Sequence, residues 1–268
     1  FVSVESEIVF PLAGRGSGPD IIDKQIDVML DLVGMTGYRK RVPASLSGGQ
    51  MQRVAIAAAL AAEPDVLILD EPTAALDPEG KQEVFDVLER IRQTRSMTVI
   101  TAEQDTEHTA YWADQVLFMV NGELVRNGDA SLFVREKGLL ESSGVQVADD
   151  PLPQVKAVQQ GKKHKKDKKN QPERSKDVVI SLDHVSYQYE RGGNASKALD
   201  DVTFDIERGS FIGLIGRNGS GKTTLGLALC RMISSKGRIH FSGRDIDRLS
   251  FTQMRPLRTS YTAYSSRS

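Results

Sequence analysis

A short apolar run, Phe211-Ile212-Gly213-Leu214-Ile215, leads into Gly216-Arg217-Asn218-Gly219-Ser220-Gly221-Lys222-Thr223-Thr224, and apolar residues resume at Leu225, Leu227 and Leu229. More than any other stretch, this one limits what the chain can fold into. The first run reads as a buried strand and the leucines as a helix. The glycines between them allow a tight turn in which successive backbone N–H groups converge. The spacing G-x-x-x-x-G-K-[ST], between a strand and a helix, predicts a phosphate cradle. Lys222 is placed to neutralise phosphate charge, and the Thr223 hydroxyl to reach Mg²⁺. Gly216, Asn218, Gly219, Ser220, Gly221 and Thr224 supply the rest of the cradle. A chance GKT in an unrelated glycine turn is the competing reading.

A second helix start points at an anion. Leu46-Ser47-Gly48-Gly49-Gln50 runs into the alanine-rich stretch Met51 to Ala62. A polar glycine turn feeding a helix presents free N–H groups and the positive end of the helix dipole. Ser47 adds a hydroxyl, and Gly48 and Gly49 allow close approach. Downstream, Val66-Leu67-Ile68-Leu69 reads as a buried parallel strand ending in Asp70-Glu71-Pro72. Acids at the carboxyl end of such a strand stand where open α/β sheets bind ligands. Asp77 reads as an N-cap, with Pro78 at the first helical position.

The remaining chain alternates strand and helix, an α/β pattern with a mainly parallel sheet. Residues 1 to 20 read as loop, Ile21 to Val33 as a helix broken by Gly34, Thr98 to Thr101 and Val116 to Val120 as strands, and Asn121-Gly122 as a hairpin turn. Residues 143 to 176 have few large apolar residues, and Lys162 to Lys169 contains six lysines, which predicts a solvated linker. A patch for nucleic acid or anionic lipid is the second reading of those lysines. Val178 to Tyr189 and Val202 to Ile206 read as strands. The formal net charge of −1 gives no global case for nucleic acid. One cysteine, Cys230, excludes an internal disulfide framework and reads as packing. No histidine cluster has metal-ligand spacing.

LSGGQ at 46–50, VLILDE at 66–71, the turn ending at Asp77 and GRNGSGKTT at 216–224 together resemble the ATP-binding-cassette (ABC) ATPases. The resemblance implies a P-loop NTPase fold of α/β class, with ATP and Mg²⁺ as cofactors. Asp70 would help hold Mg²⁺ and Glu71 would polarise the attacking water. Tyr189 would stack on adenine, and Asp77 would link two sites. In that family the P-loop precedes the signature motif, whereas here it follows. The order implies two incomplete ABC domains in tandem. Residues 1–140 would be the back of the first, 141–176 a flexible linker and 177–268 the front of the second. Ser47, Gly48, Gly49 and Gln50 would then face the nucleotide held by Lys222, while Asp70, Glu71 and Gln104 would serve a site whose P-loop lies outside this chain. The first residue is Phe1 and the motifs are incomplete at both ends, so the resemblance implies a piece of a longer protein.

Ser3 to Phe10 resembles the segment after the glutamine loop in importers of the energy-coupling-factor class. Gly138 to Val147 and Leu152-Pro153 resemble the region after their first ATPase domain. This implies an ATPase at the cytoplasmic face of the cell membrane, driving vitamin or metal-ion uptake beside membrane-embedded subunits, with no nucleic-acid partner. A soluble tandem protein acting on the ribosome or nucleic acid, and a sugar-importer ATPase, are the alternatives. Gln104 stands where the family usually carries histidine; an amide donates a hydrogen bond but carries no charge. Ser260 to Ser268 departs from the expected strand and glutamine loop, so this chain alone is expected to bind ATP weakly and hydrolyse it little.

Overall fold

The computed structural model describes residues 2–13, 18–74, 76–94, 97–104, 106–147, 177–191, 194–250 and 262–266. They fall into two compact units, Phe1–Val99 with Leu249–Ser268, and Ile100–Arg248. Most of the predicted linker, residues 148–176, lies outside the described residues.

The first unit contains helices α1 (Val4–Ala13), α2 (Pro19–Leu32) and α3 (Gly48–Ala61), strand β1 (Val66–Asp70) and helix α4 (Pro78–Thr94). The expected loop over residues 1–20 is corrected by α1. Val4, Ile8 and Leu12 recur every four residues and are buried, and their stripe packs on α3. The helix start has its N–H groups met from outside: Val4 N donates to Arg41 O at 2.9 Å and Glu5 N to Arg39 O at 3.0 Å. Arg39 also pairs with Glu5, Asp23 and Asp27. The neighbouring Lys40, followed by Arg39, holds the Glu5 carboxyl below its usual range. At the end of α2, Gly34 adopts φ +67°. Met35 N donates to Leu30 O at 2.7 Å and Gly34 N to Asp31 O at 3.0 Å, closing the helix with a Schellman motif.

The second unit begins within β2 (Thr98–Glu103) and continues through α5 (Thr106–Trp112), β3 (Gln115–Val120), β4 (Glu123–Gly128), α6 (Leu132–Arg135) and α7 (Lys137–Ser142). Beyond residue 176 it contains β5 (Val178–Arg191), β6 (Asn194–Glu207), β7 (Phe211–Ile215), α8 (Lys222–Leu229), β8 (Lys236–Phe241) and β9 (Arg244–Asp245). The predicted hairpin is present: β3 and β4 pair antiparallel across Asn121 (φ +51°) and Gly122 (φ +88°), the left-handed pair that a tight hairpin needs. β3 also pairs in parallel with β7, Gln115 opposite Ile212 through Phe118 opposite Ile215. Strands expected to belong to separate domains are thus neighbours. A separate antiparallel sheet has the order β6-β5-β8-β9. Its strands β8 and β9 have no clear sequence signal, because Lys236, Gly237 and Arg238 are exposed and only Ile239 and Phe241 turn inward.

The last strand, β10 (Thr262–Ser266), returns to the first unit and pairs in parallel with β1, Val66 opposite Thr262 through Asp70 opposite Ser266. The departure read at the carboxyl end is therefore corrected in part: a strand is present, formed by Thr262, Ala263, Tyr264, Ser265 and Ser266, whose backbone complements the buried β1.

A register shift in the β5–β6 ladder brings His184 (φ +53°) opposite Asp201 (φ +55°), with Nδ1 of the ring 2.5 Å from the carboxylate. The Asp201 hydrogen bond, its charge and that of Asp183 raise the His184 pKa above its ordinary value of 6.5. A raised folded-state pKa stabilises the fold fully below the unfolded value, and the contribution is lost as pH rises through the folded value. We expect the gap in melting temperature between the unaltered chain and His184→Asn to be widest below the ordinary imidazole value and to close as pH rises through the raised folded-state value. A pH series of thermal melts on both chains measures it.

Candidate functional site

Every residue of β7 is buried, so the strand delivers its carboxyl end from the interior to the loop. Gly216 adopts φ +154° and Gly221 φ +103°. A Cβ at Gly216 would lie 2.4 Å from Ser220 Oγ and 2.5 Å from the Met119 carbonyl; one at Gly221 would lie 2.4 Å from the Ala198 carbonyl. Both positions therefore require glycine on conformation and on space. Lys222 is only 5% exposed, and its Nζ donates to Gly216 O at 2.7 Å and Arg217 O at 3.2 Å. The ammonium is thus held over the loop by the loop's own carbonyls, at the start of α8. Thr223 is exposed at that helix start, while Thr224 is buried with Oγ1 3.4 Å from Tyr189 Oη. Tyr189 is half-buried and packs edge-on to Tyr187, with ring centroids 4.9 Å apart.

The loop fits a phosphate. Ser220 Oγ is buried with no hydrogen-bond partner among the described residues, beside glycine backbone and a fixed cation. An unpaired buried hydroxyl carries a desolvation penalty that an oxyanion would relieve. Gly219, with φ +81° and open space above its Cα, leaves the rim clear. A cleft of 330 Å³ borders the loop, lined by Met119, Asn121, Ser142, Ser143, Arg217 and Asn218. Arg217, Ser142 and Ser143 were not singled out from the sequence; Arg217 had a signal in its place within the loop, whereas the serines had none.

Gln104 is exposed, and its Nε2 donates to Asn218 Oδ1 at 2.8 Å. The amide thus meets the P-loop of this chain, whereas motif order assigns Gln104 to a site whose P-loop lies outside it. The hairpin turn reaches the same loop, with Gly122 N donating to Ser220 O at 2.9 Å.

The other predicted residues belong to the first unit. Ser47 caps α3: its Oγ accepts from Gln50 N at 3.3 Å, and its N–H donates to Gln50 Oε1 at 3.1 Å, forming a capping box. Gln50 Nε2 also donates to Tyr38 Oη at 3.3 Å. Accepting through Oγ leaves the Ser47 hydroxyl proton available to an anion. Gly49 is buried, and a Cβ there would meet Gly80 Cα at 3.2 Å; one at Gly48 would meet Leu76 Cδ2 at 3.1 Å. These glycines therefore allow α3 to approach the start of α4, a packing reason in addition to the ligand approach read from the sequence. Asp77 caps α4 through Gly80 N at 2.8 Å. Asp70 is 8% exposed at the end of β1, and Glu71 is held at φ +49°, a conformation costing about 1 kcal/mol for a residue with a Cβ. Ser47→Ala removes the capping box, and thermal or denaturant unfolding should register a loss of about 1 kcal/mol. An unchanged midpoint would mean that the box contributes nothing.

Among the described residues no cluster of three or more His, Cys, Asp or Glu residues is arranged to hold a metal. An implied Mg²⁺ would rely on phosphate oxygens and single protein oxygens, and the exposed Thr223 hydroxyl suits that role.

A buried strand, a glycine loop closed on its lysine and a following helix, within a mixed α/β fold, define a P-loop NTPase. The ABC transporter family model matches residues 3–74 and 199–267, more than half of the chain, and the chain belongs to that family. A protein of Caldanaerobacter subterraneus subsp. tengcongensis named as an ABC transporter ATP-binding protein is 34% identical over 89% of this chain and 46% of its own length. The peptidoglycan transport ATP-binding protein YejF of Agrobacterium fabrum is 33% identical over 90% of this chain and 43% of its own. The chain thus spans about half the length of these curated relatives. Among solved structures, cbiO1 from Clostridium perfringens, described as part of the ABC transporter complex cbiONQ, is 31% identical. The match covers 59% of this chain and 61% of that one, with a TM-score of 0.48. No described helix is long and apolar enough to cross a membrane.

Proposed function

We propose that this chain is the nucleotide-binding part of an ATPase that energises a membrane importer at the cytoplasmic face of the cell membrane. The observation that carries the reading is the loop closed on Lys222, with its buried, unpartnered Ser220 hydroxyl beside it. Lys222 and the backbone from Gly216 to Thr223 hold the ATP phosphates, and Tyr189 takes the adenine. Ser47, Gly48 and Gly49 contact nucleotide from the signature helix. Thr223 offers an oxygen to the Mg²⁺ of the Lys222 site, where the ion when bound would neutralise charge on the terminal phosphates, and Asp70 offers one to the Mg²⁺ of the other site, whose P-loop lies outside this chain. In that other site Glu71 is the general base and Gln104 a donor to the terminal phosphate, and Asp77 communicates between the two sites.

The signature preceding the P-loop supports descent from a tandem ATPase. The resemblance of residues 3–10 and 138–147 to energy-coupling-factor importers supports vitamin or metal-ion uptake. Exposed apolar side chains in the first unit, Phe10 at 71% and Val42 at 51%, offer surface to a membrane-embedded subunit. Titration of the purified chain with a fluorescent ATP analogue and Mg²⁺ tests the reading. Saturable binding with little phosphate release is expected. No binding at millimolar nucleotide would overturn it, and steady turnover abolished by Lys222→Ala would overturn the claim of low activity.

A further inference from the structure

We infer that Tyr187 is a positioning residue for Tyr189, holding that ring in the plane a purine base needs before any nucleotide arrives. The inference rests on the reading of Tyr189 as the adenine contact of the nucleotide site.

Tyr187 and Tyr189 are two apart on β5, so their side chains leave the same face of the strand. Their rings are nearly perpendicular, at 86°, with centroids 4.9 Å apart. Such a contact sets the partly positive edge of one ring against the partly negative face of the other, which gives it a preferred geometry. It also leaves at least one face of Tyr189 uncovered by Tyr187, as a stacked base requires. The tip of the same ring is held separately, with Tyr189 Oη 3.4 Å from Thr224 Oγ1 on α8. Two restraints at different points fix the plane of a ring where one would leave it free to turn.

The sheet itself gives Tyr189 little support. Across the β5–β6 ladder Tyr189 stands opposite Ser196, a small and exposed residue, whereas Tyr187 stands opposite the buried Leu199. The register slips between these pairs: Gln188 faces Lys197, which leaves Ala198 as the extra residue of a bulge. The bulge brings β6 against the phosphate loop. A Cβ on Gly221 would lie 2.4 Å from the Ala198 carbonyl and 3.3 Å from Leu199 Cδ2. Through Leu199, Tyr187 is therefore registered to the loop, and Tyr189 takes its orientation from Tyr187. Core packing does not demand an aromatic ring at 187. The residue is half-buried and borders an open cleft of 440 Å³ with Ser186, Gln188, Lys197, Leu199 and Lys236.

A side chain that must be immobilised on binding subtracts its ordering entropy from the affinity, so a platform ordered in advance strengthens stacking. The experiment compares ATP with inorganic tripolyphosphate, each with Mg²⁺, by calorimetric titration of the purified protein. Tripolyphosphate reaches the loop but has no base to stack. Tyr187→Leu should weaken ATP by about 3–10-fold and tripolyphosphate by less than about 2-fold. Tyr187→Phe keeps the ring and should leave both ligands within about 2-fold. Equal weakening of the two ligands, no weakening of ATP, or a loss in Tyr187→Phe as large as in Tyr187→Leu would overturn the inference. So would an unaltered protein that binds tripolyphosphate as tightly as ATP.

A second measurement needs no nucleotide. The protein has six tyrosines, so the ring signals of Tyr189 in ¹³C-labelled protein are assigned by their loss in Tyr189→Phe. Carbon relaxation should show the Tyr189 ring as ordered as its backbone in the unaltered protein and in Tyr187→Phe, and less ordered in Tyr187→Leu. A mobile Tyr189 ring in the unaltered protein, or unchanged order in Tyr187→Leu, would overturn the inference. If the unaltered protein binds neither ligand, the functional reading fails, while ring order still decides whether Tyr187 holds Tyr189.

Discussion

Lys222→Ala should weaken binding of an ATP analogue by about 100-fold, roughly 3 kcal/mol, with little change in melting temperature. The side chain is 5% exposed and its Nζ contacts the Gly216 and Arg217 carbonyls, so the charge is already desolvated and oriented before a phosphate arrives. Alanine removes the buried cation and leaves the loop with neutral backbone donors and the exposed Arg217. The fold is spared because the carbonyls released at Gly216 and Arg217 lie at a loop that water can reach once the side chain is gone. Lys222→Arg separates charge from shape. It keeps the charge, but a planar guanidinium needs more room than this buried position offers, so a loss of about 10-fold is expected. Isothermal titration of the three chains measures both effects; equal affinities would remove Lys222 from the site.

Gly213→Ala should destabilise the second unit by about 2–3 kcal/mol, lowering its melting temperature by about 5–10 °C. Its side of β7 faces α5, where a new Cβ would meet Thr109 Cγ2 at 2.2 Å and Ala113 Cβ at 3.3 Å. Thr109 is fully buried, so its methyl has nowhere to retreat, and either α5 or the strand must shift. A second substitution supplies the control. Thr109→Ala removes the obstructing methyl and should restore part of the loss in the double variant, a coupling typical of residues in contact. Calorimetry on the four chains reads it, and strict additivity would mean that the two residues do not meet.

Much of the local structure was legible because its causes lie within a few residues. Asp77-Pro78 announces α4 through a side chain that reaches Gly80 N, three residues on. Ser47 and Gln50 announce α3 in the same way. Asn121-Gly122 makes a hairpin because both residues tolerate positive φ. Where the reading failed, the deciding contacts were distant or the signal was diluted. Residues 4–13 looked like loop because polar residues and Pro11 obscure a stripe of Val4, Ile8 and Leu12, which becomes helical when α3 covers it. Thr262–Ser266 has little apolar character, and its strand depends on the backbone of β1.

The sequence by itself determined the chemistry of this protein. The glycines at 216, 219 and 221, the lysine at 222 and the capped helix at Ser47 act through dihedral preference and hydrogen bonds spanning only a few residues. Motif order alone pointed to the P-loop and Gln104 belonging to different domains. Only the tertiary structure decided that β3 lies beside β7 and that Gln104 bonds to Asn218. The physical reason is that strand pairing leaves little mark on local sequence: any buried apolar strand can pair with another, and the choice is made by matching whole faces, as Thr109 against Gly213 and Gly122 against Ser220 do here.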